Sequence, residues 1–287
     1  MTSTVLVTGA TGTVGSALLD ALTDRDATVR AATRSPPGTG PADEWVAFDF
    51  EKPETWGDAL AGVDALFVMR PPQLSRVGPV RAFVDAAGRV GVDRCVVLSV
   101  LGADRNPLLP HRRIERHVAA SPLRWTFLRP SFFTQNLVEV HGDALARGEI
   151  PVPAGDGRTS FVDARDVAAV AAVALTEPGH AGVAYDLTGP EALTYDEVAA
   201  VASDVLGSPV AYTDPSLPRF VVRELRRGRP LGFTLVMSGI YTTARLGLAG
   251  RVTGAVERVL GRPPRDVRAF FEDYGDERTA SRRLHGE

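Results

Sequence analysis

Residues 5–22 read VLVTGATGTVGSALLDAL. A short apolar run enters glycines at 9, 12 and 15, and apolar residues at helical spacing follow. The pattern G-x-x-G-x-x-G therefore lies between a strand and a helix. In that setting Gly9 permits a tight turn, Gly12 lets the backbone approach a pyrophosphate, and Gly15 allows close packing of helix on strand. The N-terminus of the following helix offers N–H groups and the positive end of its dipole to the phosphates. A glycine triplet alone carries little weight; with its strand, its helix and the alternation beyond, it predicts a dinucleotide site.

Working outward, TVLVTG, ATVRAATR, WVAFDF, DALFVM, RCVVLS and RWTFLRP read as strands. Stretches such as VGPVRAFVDAAGRVG between them carry helical periodicity. Near-continuous apolar strands alternating with helices predict a parallel sheet covered on both faces, an α/β doubly wound fold of Rossmann type. SPPGTGP, residues 35–41, is a surface loop. After residue 150 the rhythm changes. A Gly/Pro loop precedes a helix starting near Asp163, AYDLTG is strand-like, and TYDEVAAVASDVLG starts with a capping box, Thr194 with Glu197. The expected organisation is a nucleotide-binding domain over 1–150, with 160–190 returning to it. A smaller, mostly helical substrate-binding region over 191–273 and a disordered tail over 274–287 complete the chain.

The 287 residues are 44% hydrophobic and 23% charged, with a net charge of −3. These values fit a globular protein and give no basic footprint for nucleic acid. The single cysteine, Cys95, lies in a strand and excludes an internal disulfide. Five histidines and one cysteine fall without ligand spacing, so no metal site is expected. No signal segment or membrane span is read, and a cytoplasmic protein acting on a small molecule is expected. A homo-oligomer is left open.

The end of the second strand chooses between the two nicotinamide dinucleotides. A ribose 2′-hydroxyl wants an acidic acceptor there. VRAATRS supplies Thr33 and Arg34 instead, and a guanidinium pairs with a 2′-phosphate. NADPH/NADP is therefore preferred over NAD. Asp49, after the third strand, is read either as an acceptor for the adenine amine or as a helix-start residue.

TGATGTVG, VRAATRSP, LRPSFFTQNL and FVDARDVA together resemble the short-chain dehydrogenase/reductase superfamily in its atypical NmrA-like branch. The resemblance covers residues 4–207 well and the C-terminal helices loosely. It implies a Rossmann domain followed by a small substrate domain, with ligand held between them. Members of the branch include quinone oxidoreductases, azoreductases, iminium reductases of ergot alkaloid pathways, and NADP-binding regulators without evident turnover. The resemblance implies that Gly9, Gly12 and Gly15, with Thr11, Thr13 and Val14, form the phosphate loop, and that Arg34 holds the 2′-phosphate. It further implies that Met69, Arg70 and Pro71 run along the ribose and nicotinamide. Ser99 stands where the superfamily often has its catalytic serine, and Phe132, Phe133 and Asn136 line the substrate side.

Reductases of that superfamily use Tyr-x-x-x-Lys, in which lysine lowers the phenol pKa and tyrosine protonates the alkoxide. Here Lys52 is the only lysine and the first tyrosine is Tyr185. The expected helix carries His111 and Glu115, four residues apart and on one face. Two readings stand side by side. In one, Glu115 raises the His111 pKa and His111 donates the proton; in the other, both are an exposed surface pair. Without a tyrosine donor, the expected activity is hydride delivery from NADPH to a conjugated, electron-poor acceptor such as a quinone, enone, azo compound or iminium. Phe233, Met237 and Tyr241, at helical spacing, would form an apolar lid or pack as core. The alternatives are a redox-sensing regulator that binds NADP without turnover, and a ketoreductase or isomerase using His111 as acid/base.

Overall fold

The computed structural model describes residues 2–37, 39–71, 74 and 76–275. The sequence expectation of a disordered tail falls almost entirely on 276–287, outside the described residues. Seven parallel strands form one sheet: β1 Ser3–Thr8, β2 Ala27–Thr33, β3 Glu44–Ala47, β4 Ala65–Met69, β5 Arg94–Leu98, β6 Arg124–Pro130 and β7 Val183–Leu187. Their spatial order is β7-β6-β5-β4-β1-β2-β3. The order reverses between β1 and β4, the switch point at whose carboxyl ends ligands bind in doubly wound folds. The apolar runs of the sequence are the strands. Val5, Leu6 and Val7 of β1, and Leu66, Phe67 and Val68 of β4, are fully buried, as strands covered on both faces require.

The chain divides into two compact units. Unit 1 comprises the described residues of Met1–Pro130, Ala164–Leu187 and Ala255–Arg262; unit 2 comprises those of Ser131–Asp163, Thr188–Gly254 and Pro263–Glu287. The chain thus leaves the first unit after Pro130, earlier than the change of composition near 150 suggests. The cause is β6: once that strand ends, residues 131–163 find their partners within unit 2. Segment 255–262, which the sequence groups with the C-terminal helices, belongs to unit 1.

In unit 1 the longer helices are α1 Thr13–Leu22, α2 Gly78–Arg89, α3 Pro110–Ala119 and α4 Ala164–Thr176, with short ones at Pro53–Thr55, Trp56–Leu60 and Ala255–Leu260. α4 is buried at ten of its positions, mostly alanine and valine, whose small side chains allow close packing. Phe48, Phe50, Trp56 and Phe83 form an aromatic cluster beside the sheet, with centroids 4.7–5.6 Å apart. Cys95 is wholly buried there, and burial pushes its thiol up to about 12, which suits a core residue and not a nucleophile.

Unit 2 has its own core, built around Tyr195, Phe220, Tyr241 and Phe271. Its labelled helices are α5 Tyr195–Leu206, α6 Leu217–Arg226 and α7 Leu231–Arg245. The capping box forms as the sequence predicts: Thr194 Oγ1 accepts from the Glu197 N–H at 3.2 Å, and the Thr194 N–H donates to Glu197 Oε2 at 2.8 Å. Two short parallel pairs, Phe132–Phe133 with Phe161–Val162 and Glu149–Pro151 with Ala211–Thr213, complete the unit. Among the described residues, no helix is long and apolar enough to cross a membrane, and no cluster of metal-ligating side chains occurs.

Candidate nucleotide and reduction site

The glycine loop joins β1 to α1. Gly9 has φ +66°, the left-handed region, and a Cβ there would lie 2.2 Å from the Met69 Cε. A Cβ on Gly15 would lie 2.0 Å from the Gly9 carbonyl oxygen, so the helix can approach the turn only without a side chain. Gly15→Ala is accordingly expected to cost about 1–3 kcal/mol, read as a lower thermal midpoint; an unchanged midpoint would show that the backbone yields freely. Gly12 differs from both. A Cβ there would find Gly9 O at 3.4 Å and the Met69 methyl at 3.5 Å, a snug fit without overlap. The fold tolerates a side chain that the sequence omits, and a phosphate drawn to the helix N-terminus needs that space. No side chain caps α1, and its first turn holds no acid. This cradle fits a dinucleotide pyrophosphate. Thr11 is exposed, Thr13 half-buried and Val14 buried beneath the turn.

Thr8, fully buried, ties the ends of β1 and β4 together: its hydroxyl donates to Phe67 O at 2.9 Å and accepts from the Met69 N–H at 3.0 Å. That tie sets Met69 against the glycine loop. Arg70 and Pro71 follow directly, and the Pro71 carbonyl accepts from the Leu74 N–H at 3.0 Å. Arg70 is half-buried. Its Nη1 donates to Pro71 O at 3.4 Å and to Leu74 O, while its Nε is buried with no hydrogen-bond partner.

At the end of β2, half-buried Thr33 accepts through its carbonyl from Phe48 N–H at 2.9 Å. Arg34 is exposed and forms no ion pair among the described residues. Asp49 stands ahead of the turn at 50–51 and not at the helix start, which Lys52 caps: its Oδ1 accepts from the Glu51 N–H at 2.9 Å, and its carbonyl accepts from Trp56 Nε1 at 3.0 Å.

The helix predicted to hold a catalytic pair is α3. His111 and Glu115 share it without pairing, which corrects both sequence readings. Glu115 has no exposed surface. Its Oε1 accepts from Ser99 Oγ at 2.6 Å and from Arg129 Nε at 2.8 Å; its Oε2 accepts from Arg129 Nη2 at 2.9 Å and from Arg112 Nη1 at 3.3 Å. Burial alone would raise its pKa, but hydrogen bonds from Arg129 and Ser99 outweigh it and hold the carboxyl below its ordinary value. The carboxylate thus serves as the buried end of a bidentate pair. Arg129 Nη1 also lies 3.8 Å from Asp104 and from Asp186.

His111 behaves in the opposite way to the reading in which Glu115 raises its pKa. Burial, followed by the positive charge of Arg70, pushes its pKa down to about 4, against an opposing but smaller pull from Glu115. Its Nδ1 is buried without a partner. Ser99, 2% exposed, spends its hydroxyl proton on Glu115 and its N–H on Leu128 O at 2.7 Å. Arg129, Asp104 and Asp186 escaped sequence reasoning; the available signal was an arginine inside the otherwise apolar strand RWTFLRP.

The residues assigned to the substrate side all fall in unit 2. Phe132 packs edge-on against Phe161 at 5.7 Å and lies 6.1 Å from Tyr241; Phe133 and Asn136 are half-buried. Met237 and Tyr241, 5% and 0% exposed, turn into the core of unit 2. This places them as packing residues rather than as an outer lid surface. Tyr241 hydroxyl and His141 Nε2 are 2.5 Å apart within that core. Phe233 is half-buried, with the Arg229 guanidinium 5.5 Å from its ring centre.

A doubly wound parallel sheet with a glycine cradle at its first turn defines a dinucleotide-binding protein. Residues 9–178 match the NAD(P)H-binding family, and the chain belongs to it, with the fold of the NmrA-like atypical short-chain dehydrogenase/reductases. Among curated proteins it is 35% identical to the NAD(P)H azoreductase of Xenophilus azovorans, over 94% of this chain and 97% of that one. Among solved structures it resembles the Citrobacter sp. triphenylmethane reductase complexed with NADP(H), with TM-score 0.83, 25% identity, and coverage of 95% and 99%. It also resembles the NADPH-dependent quinone oxidoreductase QOR2 of Escherichia coli, with TM-score 0.84, 25% identity, and coverage of 94% and 99%.

Proposed function

We propose that the chain is an NADPH-dependent reductase that delivers hydride to a conjugated, electron-poor small molecule without a tyrosine–lysine proton donor. The wider class, NAD(P)H-dependent oxidoreductase, is the class of its relatives and its own. The observation that carries the finer reading is the state of α3. At the two positions that share its inner face stand a carboxylate locked to Arg129 and a histidine that burial keeps neutral. Neither supplies an acidic proton at neutral pH. An imidazole of pKa about 4 is protonated in only about one molecule in a thousand at pH 7. Acceptors that need no proton at the moment of hydride transfer suit such a site; a simple ketone does not. The names of the relatives, an azoreductase and a quinone oxidoreductase, support the same substrate range.

When bound, the reduced nicotinamide supplies the hydride. The glycine turn would hold the pyrophosphate, and Arg34, without an ion pair among the described residues, would hold the 2′-phosphate. Met69 and Thr8 fix the strand ends beside that turn, so that catalysis comes mainly from placing donor against acceptor.

The test is loss of NADPH absorbance in a panel of quinones, azo dyes, enones and iminium compounds. Clear NADP binding with no turnover on any acceptor would instead favour the redox-sensing regulator. A pH profile adds a second check. Turnover of a quinone is expected to show no histidine inflection between about pH 5.5 and 8. An inflection near pH 6.5 that disappears in His111→Ala would restore His111 as the acid and sink the donor-free reading.

A further inference from the structure

We propose that Arg70 determines acceptor specificity, its guanidinium stabilising negative charge that develops on the acceptor, so that quinones and enones are preferred over cations such as iminium ions. The inference rests on the reductase reading and narrows it. Three observations carry it.

The first is placement. Arg70 directly follows Met69, the last residue of β4, whose methyl group rests on the glycine turn. It therefore stands at the carboxyl end of a strand bordering the switch point, where this class of sheet binds its ligands.

The second is that its charge has no counterion among the described residues. Arg129, on β6, has Glu115, Asp104 and Asp186 around it. Arg70 forms no ion pair among the described residues; it meets only two carbonyls of its own loop, through Nη1. Its Nε is buried and has no hydrogen-bond partner among the described residues. A half-buried cation with an idle donor is costly to keep, and such groups cluster where a ligand completes them.

The third is that no neighbour cancels it. Glu115 is fully occupied by Arg129, Ser99 and Arg112. His111, whose pKa burial and then the charge of Arg70 push down to about 4, is neutral at pH 7, and its Nδ1 is buried without a hydrogen-bond partner among the described residues.

The electron count follows. A quinone that takes up hydride becomes a hydroquinone monoanion, while NADPH becomes NADP+, and water then supplies the one remaining proton. Negative charge grows on oxygen during the transfer, and a preorganised cation strengthens with it. An iminium that takes up hydride becomes a neutral amine. Its positive charge meets Arg70 before the transfer, and nothing develops for the guanidinium to stabilise.

The experiment uses the full chain saturated with NADP, with 4-nitrophenol as the probe. The phenolate absorbs in the visible, so the apparent pKa of the bound phenol can be read directly. Wild type is expected to bind the phenolate about tenfold or more tighter than the phenol, lowering that pKa by about one unit. Arg70→Met should abolish the preference, and Arg70→Lys should keep part of it. In turnover, Arg70→Met should lower the ratio of kcat/KM for a quinone to kcat/KM for an iminium by about 100-fold. Equal binding of phenol and phenolate by wild type overturns the proposal. So does an Arg70→Met variant that weakens NADPH binding but keeps the quinone-to-iminium ratio, since Arg70 would then serve the coenzyme. If wild type reduces no acceptor yet shows the Arg70-dependent phenolate preference, the reductase reading fails while the anion site stands.

Discussion

Replacing Arg34 with alanine raises the Kd for NADPH by about 10- to 100-fold and leaves the Kd for NADH almost unchanged. The expectation follows from what the residue lacks. Arg34 comes immediately after β2, exposed and without an ion pair among the described residues. No acidic side chain replaces it at the strand end, where a ribose 2′-hydroxyl would need an acceptor. A guanidinium at an exposed position is screened by salt, so the difference should shrink as ionic strength rises. Titration of the two coenzymes by calorimetry at two salt concentrations reads both effects. Equal weakening of NADPH and NADH would place Arg34 elsewhere than on the 2′-phosphate. No change in either would leave it as a solvated loop charge.

Much of this architecture is written locally, and that is why it can be read from the sequence. The seven sheet strands are short apolar runs, and the glycine spacing acts within residues 9–15 of the chain. Thr194 and Glu197 cap their helix across three residues. What cannot be read is what depends on partners distant in sequence. Glu115 looks like the neighbour of His111 because helical spacing sees only one helix. The carboxylate instead finds Arg129 on β6 and Ser99 after β5, groups that meet only once the sheet has formed. Met237 and Tyr241 share a helix face with Phe233, but periodicity cannot tell a face packed on protein from one packed on ligand. The departure of the chain from unit 1 at Pro130, and its return at Ala255, are likewise set by tertiary contacts and leave no mark in composition.

Glu115→Ala is expected to produce the largest loss of stability, about 3–5 kcal/mol, because it strands Arg129. The removed carboxylate has no exposed surface and accepts four hydrogen bonds. Asp104 and Asp186 remain, but at 3.8 Å from Nη1 they replace neither of the two parallel bonds. Ser99 also loses the acceptor of its buried hydroxyl. The double variant Glu115→Met, Arg129→Met removes both charges and should recover much of the loss, since well-packed apolar groups avoid the desolvation that the ion pair bears. The pH dependence has a fixed sign. The folded-state pKa of Glu115 lies below its ordinary value, so its contribution is complete above the unfolded value of about 4.3. It drains away as pH falls through the folded pKa. The advantage of wild type over Glu115→Gln in urea unfolding should therefore hold at neutral pH and vanish in stronger acid. A double variant less stable than Glu115→Ala, or a wild-type advantage that grows as the pH drops, would mean that the pair holds α3 to β6 by something other than its charge.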